Sequence, residues 1–203
     1  MYLTPAKRNA YVRPGGNYQV AGATGLLTIA AAASDIVSFR WADTTQDCVV
    51  WWIKWWWYLT VGFTAAQISD HALYKAKLFS ASPSGGTSLL PAVGQNMMKT
   101  GQQNSLLTAF QISTTGALTT GTRTLETQPL LTRGAWCVAA TLKQLEEPVG
   151  TPLMEPLYLT ANEGWVIQNI TTMGAAGVQK FHVAVAWSEI AKDSMYIADE
   201  LVS

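Results

Sequence analysis

The sequence predicts an all-β chain folded as an antiparallel two-sheet sandwich with an irregular N-terminal arm. Three observations predict it. Several runs alternate apolar and polar residues with period two; turn-forming residues separate them at short spacing; and no helical pattern lies between them. The 203 residues suit one sandwich domain over 18–203. Residues 1–17 read as the arm, because Pro5, Pro14, Gly15 and Gly16 break any periodicity there.

The strands follow in order. Ile36–Trp41 is a candidate, ended by the polar stretch Ala42–Asp47. Cys48–Gly62 is long and Trp-rich. Ile68–Phe79 alternates Ile68, Asp70, Ala72, Tyr74, Ala76, Leu78 against Ser69, His71, Leu73, Lys75, Lys77, Phe79. After the loop Ser80–Gly86 come Ser105–Ser113, a Thr- and Gly-rich stretch over Thr114–Thr124, the short apolar run Gly134–Thr141, and Leu157–Thr160. Gly164–Ile170 and Val178–Glu189, joined by Met173–Gly177, read as an antiparallel hairpin with a long loop. In its second run Phe181, Val183, Val185 and Trp187 share one face, and His182, Ala184 and Ala186 the other. Ser188–Leu201 is the one place where a short helix is expected.

Composition narrows the function classes. Apolar residues make up 49% of the chain and charged residues only 13%, about half the usual charged share. So little charge leaves little to keep copies apart in solution, and much of the surface is expected to be buried against something. The 13 basic and 13 acidic residues cancel. The basic residues are scattered, so no phosphate-tracking surface is expected and nucleic acid is not a predicted partner. Their densest group, Lys7, Arg8 and Arg13, reads as a solvated or docking arm. The Trp-rich run Val49–Phe63 contains Lys54 and is too short for a helical membrane span of about 20 residues. Leu26–Ser34 has the look of a signal-peptide core, but the stretch before it is too long and contains Pro14, Gly15 and Gly16, so no export signal is expected. Cys48 and Cys137 both sit in apolar runs and are expected to be buried free thiols, which suits a reducing compartment.

No constellation of catalytic residues stands out. Asp70 and His71 are strand neighbours that point to opposite faces, and His182 lies on the alanine face of the last strand. A nucleophile site needs Ser or Cys, His and an acid brought together. Two His and two Cys, far apart, lack zinc-ligand spacing. Glu146–Glu147 beside Pro148 reads as a solvated acid pair, and Gly22–Gly25 and Gly174–Gly177 as turns rather than phosphate loops. No catalytic residue, metal or cofactor is expected.

The order Phe39-Arg40-Trp41, Phe63–Gln67, Leu73-Tyr74, Gly85-Gly86-Thr87, Lys99-Thr100, Thr115–Leu118, Gly121–Leu125, Ala161–Gly164 and Asn169–Gly177 resembles a group of roughly 200-residue proteins encoded by tailed bacteriophages and prophages. The resemblance covers about residues 35–190, and its most specific part is Glu163-Gly164, Asn169, Met173-Gly174-Ala175, Gly177, Trp187 and Glu189. It implies a virion structural protein of jelly-roll type, made in the bacterial host cytoplasm and built into the particle. It also implies partners: copies of itself, a trimer for example, and other virion proteins such as a major capsid protein. No catalytic motif comes with it.

One segment departs from that pattern, Trp51-Trp52-Ile53-Lys54-Trp55-Trp56-Trp57-Tyr58. Strict alternation puts Trp51, Ile53, Trp55 and Trp57 on one face and Trp52, Lys54, Trp56 and Tyr58 on the other. A half-exposed sandwich strand should be apolar on one face only. The second aromatic face is then a covered rim, an inter-subunit contact, or a platform for sugars or bases. The even-numbered face is expected to be the outer one, because Lys54 shares it and its ammonium reaches water. That makes Trp52, Trp56 and Tyr58 interface candidates, together with Lys7, Arg8 and Arg13. Two functions follow: a capsid decoration, cement or head-associated protein acting through subunit packing, or a tail-tip or fibre-associated module that reads a glycan receptor.

Overall fold

A computed structural model describes residues 16–28, 31–99, 101–119, 121–140 and 156–192. Lys7, Arg8 and Arg13 lie outside them. The described residues form strands β1 (Asn17–Ala23), β2 (Ser34–Arg40), β3 (Gln46–Val61), β4 (Gln67–Phe79), β5 (Gly86–Ser88), β6 (Ala109–Ser113), β7 (Arg123–Leu125), β8 (Leu131–Cys137), β9 (Leu157–Leu159), β10 (Gly164–Asn169) and β11 (Val178–Ala191). None of the described residues is helical. Ser188–Ala191, expected at the head of a terminal helix, completes β11 instead: Ser188, Glu189 and Ile190 pair with Val49, Cys48 and Asp47.

The strands make two antiparallel sheets. The smaller runs β1-β11-β3-β9; the larger runs β5-β6-β2-β10-β4-β7, with β8 beside the first half of β4. Setting β5, β6 and β7 aside leaves eight strands in two groups, β1-β11-β3-β9 and β2-β10-β4-β8. Among these eight, every consecutive pair except β4 and β8 falls in opposite sheets. This is jelly-roll topology.

That topology corrects the expected hairpin. β10 pairs with β2 and β4 in the large sheet, whereas β11 pairs with β1 and β3 in the small one. The connection between them crosses the sandwich rather than turning back on itself. Burial gives the reason. All six residues of β10 are buried, as befits a central strand covered on both sides, whereas β11 alternates buried and half-buried residues.

Aromatic side chains fill the space between the sheets. Phe39 stacks on Trp165 at 5.2 Å within the large sheet and meets Trp187 of the small one edge-on at 5.6 Å. Tyr18 stacks on Trp187 at 5.4 Å. Phe181, Val183, Val185 and Trp187 all face inward, as their alternation predicts. Cys48 and Cys137 are buried free thiols. Burial, with the Glu189 and Asp47 carboxylates nearby, holds the Cys48 thiol protonated.

The outer side of the large sheet is covered too. Arg123 reaches from β7 to Asp35 of β2 at 2.6 Å, and Gln168 donates to the same carboxylate oxygen at 2.8 Å. Val166, Ala76 and Phe79 form a small cluster there, packed by Tyr74 and Leu125.

Candidate functional site: the outer face of the small sheet

The tryptophan strand carries aromatic side chains on both faces, one face buried and the other half-buried. β3 pairs with β11 along its whole length, but the ladder is irregular at two places. Val50 lies opposite Trp187 and Trp52 opposite Ala186, so Trp51 is an extra, bulged residue. A second irregularity leaves Thr60 between Leu59 and Val61. The bulge corrects the expected placement of Trp51 on the inward face: Cys48 and Val50 face the core before it, Ile53, Trp55 and Trp57 after it. Trp51 itself is half-buried and donates its indole N–H to the Ser188 hydroxyl.

Between the bulges, Trp52–Leu59 alternates regularly. Ile53, Trp55, Trp57 and Leu59 are buried; Lys54 is exposed; Trp52, Trp56 and Tyr58 are half-buried on the outer side. Their neighbours on β11 are two alanines, a histidine and a lysine: Trp52 lies opposite Ala186, Lys54 opposite Ala184, Trp56 opposite His182 and Tyr58 opposite Lys180. One strand further out, Gln19, Ala21 and Ala23 of β1 continue the same rows. The face is therefore a wall of large rings beside a floor of alanines.

The rings are ordered by contact with one another. Trp56 and His182 are nearly parallel, 6° apart with centroids 5.1 Å apart, and Tyr58 flanks the imidazole at 5.7 Å. Lys54 Nζ sits 5.0 Å from the Trp52 ring centre, in cation–π range. Partial burial and the Lys180 ammonium lower the His182 pKa below its ordinary value, which favours a neutral, stacked imidazole. His182 is the member of this group that the sequence alone did not single out. Only the β3–β11 register brings it beside Trp56.

The inward face carries a buried polar chain. Trp57 Nε1 donates to Ser69 Oγ at 3.0 Å, and Ser69 Oγ donates to Gln179 Oε1 at 3.0 Å. Gln179 Nε2 lies 3.2 Å from His71 Nε2. Burial alone depresses the His71 pKa to about 3, so the ring is neutral and Nε2 accepts from the amide. His71 Nδ1 has no partner. Asp70, on the opposite face of β4, accepts from Thr171 N at 2.9 Å. The two histidines thus lie on opposite sides of the small sheet.

Acidic groups collect at the other end of the small sheet. Glu189 is buried and accepts from Ser105 Oγ at 2.6 Å, from Leu106 N and from Trp187 Nε1. Burial raises its pKa. Asp47 accepts from the Tyr158 hydroxyl. Each carboxylate is occupied in tying a loop or short strand to the sheet. Among the described residues, no three His, Cys, Asp or Glu side chains are grouped to hold a metal ion.

Fold and surface together define an all-β jelly-roll domain with a two-faced aromatic strand. Comparison with protein-family models, curated proteins and solved structures gives no match.

Proposed function

We propose that this chain is a non-enzymatic structural subunit of a tailed-bacteriophage particle. It acts as a capsid decoration, cement or head-associated jelly roll, packing against copies of itself and against other virion proteins such as a major capsid protein. One observation carries the reading: β3 is aromatic on both faces, one face filling the core while Trp52, Trp56 and Tyr58 stand outward, half-buried, on the small sheet. Rings in such a setting are typical anchors of protein interfaces. The resemblance of the residue pattern to phage proteins supports the same reading. Jelly rolls serve both as capsid and as lectin domains, so topology alone does not choose between packing and glycan binding. The rings favour packing. One side of Trp56 is taken by His182, which leaves a single face of that ring for a sugar.

The test compares neighbouring tryptophans. Trp56→Ser should sharply lower incorporation into particles while costing the isolated domain only about 1 kcal/mol, the scale of a lost aromatic pair. Trp55→Ser should cost about 3–5 kcal/mol of folding stability, as large core truncations do. Equal destabilisation by both, or normal incorporation of Trp56→Ser, would remove the interface. Specific capture by one member of a glycan panel, abolished by Trp56→Ser, would move the function to receptor reading.

A further inference from the structure

The same strand has an open edge. β9 pairs only with Cys48, Val49 and Val50, and among the described residues no strand continues along that edge of β3 past Val50. Trp52–Leu59 is regular, with irregularities only at either end. It contains no Pro or Gly and one charge, Lys54. Natural sheets blunt exposed edges with proline, bulges, repeated charges or very short strands. Inside this window only the single lysine does so. A row of unpaired N–H and C=O groups flanked by large rings is a template for strand addition.

We infer that this edge pairs antiparallel with the same edge of a second copy of the chain, joining two small sheets into one across a twofold axis at Trp55. Side chains opposite each other in an antiparallel pair share a face, which limits the registers. A twofold one residue earlier sets Lys54 against Lys54 of the other copy, two like charges in contact. A twofold at Trp55 instead sets Lys54 against Trp56 and Trp52 against Tyr58, each twice. The Lys54–Trp56 pair repeats across the interface the cation–π contact that Lys54 makes with Trp52 within one chain. The paired stretch, Trp52–Tyr58, lies wholly inside the bulge-free window.

The chain's own residues 141–155 are another occupant to weigh, since Ala140 N bonds Phe63 O at one end of β3 and β9 lies at the other. Their sequence includes Pro148, Gly150 and Pro152, and a proline supplies no ladder donor. The second copy supplies a complete strand.

The inference refines the packing reading and rests on it, but it is read on the isolated full chain, without particles. Sedimentation should show a concentration-dependent dimer. The alternate backbone amides of 52–58 that face the open edge rather than β11 should gain protection from hydrogen exchange as concentration rises. The double variant Trp52→Lys, Tyr58→Lys sets lysine against lysine at two places and should raise the dimer dissociation constant at least about tenfold. Three results overturn the edge pairing: a monomer whose edge-facing 52–58 amides exchange freely; a monomer whose edge-facing 52–58 amides are protected at every concentration, which assigns the edge to a segment of the same chain; or a dimer unaffected by the double variant. The exchange result on the unaltered chain stands even if the variant folds poorly. Failure of particle incorporation with an intact dimer would count against the virion role alone.

Discussion

His71 shows how a residue with the chemistry of a catalyst serves a different end. Its ring is closed in by Trp57 at 4.5 Å and Phe181 at 5.2 Å, with Gln179 as its polar partner. The folded state depresses its pKa from 6.5 to about 3. The folded protein therefore holds fewer protons than the unfolded chain between those values. His71 contributes full stability above the unfolded pKa and loses it as pH falls from about 6.5 toward about 3, at about 1.4 kcal/mol per pH unit. Glu189 and Asp35 have raised pKa values and act in the opposite sense: their penalty is present above the ordinary carboxylate range and relieved in acid. Denaturant titrations at pH 6.5, 5.5 and 4.5 should show the loss in the unaltered chain and a flatter profile in His71→Gln. Particle assembly at neutral pH should be unchanged by that substitution. An identical slope in both proteins would mean that His71 is not the titrating group. The residues that carry the phage resemblance also have packing reasons. Trp187 and Met173 are buried, Glu189 collects the Ser105–Trp187 bonds, and a Cβ on Gly164 would lie 2.1 Å from Phe39 O. At Gly177 a Cβ would lie 1.9 Å from Phe63 Cδ1, so Gly177→Ala should cost about 1–3 kcal/mol in thermal or denaturant unfolding.

At the scale of single strands, period two was legible and its interruptions were not. Alternation located β4 and β11 within a residue or two and gave the inward face of β11; in β4 it separated two faces without choosing between them, and the one with Ser69 and His71 turns inward. In β3 it placed Ile53, Trp55 and Trp57 inward and Trp52, Trp56 and Tyr58 outward, but it misassigned Trp51, because a bulge leaves no mark in a run of identical side chains. β1, β5 and β7 were missed: two have three residues each, and β1 follows the Pro- and Gly-rich arm. The β10–β11 hairpin was an error of partner choice. Adjacent apolar runs look the same whether they turn back or cross to the other sheet. The bulge makes a test of its own. Since Val50 and Trp52 already oppose consecutive residues of β11, deleting Trp51 restores regular alternation and should cost no more than about 2 kcal/mol. Deleting Lys54 instead brings Ile53 and Trp55 into neighbouring positions, turns one end of the strand inside out and should prevent folding. Circular dichroism and urea midpoints on the two deletions separate these outcomes. If both fold equally well, the ladder is free to slip.

For the whole molecule, the low charge predicts a surface that an assembly would cover, and the exposed large apolar side chains are spread over several elements, among them Val61 on β3, Ile68 and Leu78 on β4 and Trp136 on β8. The candidate interface was legible to the extent that one lysine among five tryptophans and a tyrosine marks the wet side of a strand. The open edge was not, because it depends on β9 having three residues rather than a dozen. Lys7, Arg8 and Arg13 lie outside the described residues, and β1 begins shortly after them. β1 is secured from its first residue. Asn17 lies opposite Ser188, its N–H bonds Gln102 Oε1 at 3.0 Å, and Glu189 N bonds Gly16 O at 2.9 Å. The seven β1–β11 pairs from Asn17 to Ala23 involve no residue of 1–15. Removing 1–15 should therefore leave the ladder and the Tyr18–Trp187 stack in place, while removing the densest basic cluster of a chain otherwise poor in charge. The truncated protein should unfold within a few degrees of the full chain, a change of about 1 kcal/mol or less. It should also incorporate into particles less well, and the unaltered chain should lose that advantage at high salt if the cluster docks through charge. A truncated protein that unfolds would make the arm part of the fold; one that incorporates normally would leave assembly to the sheet and its edge alone.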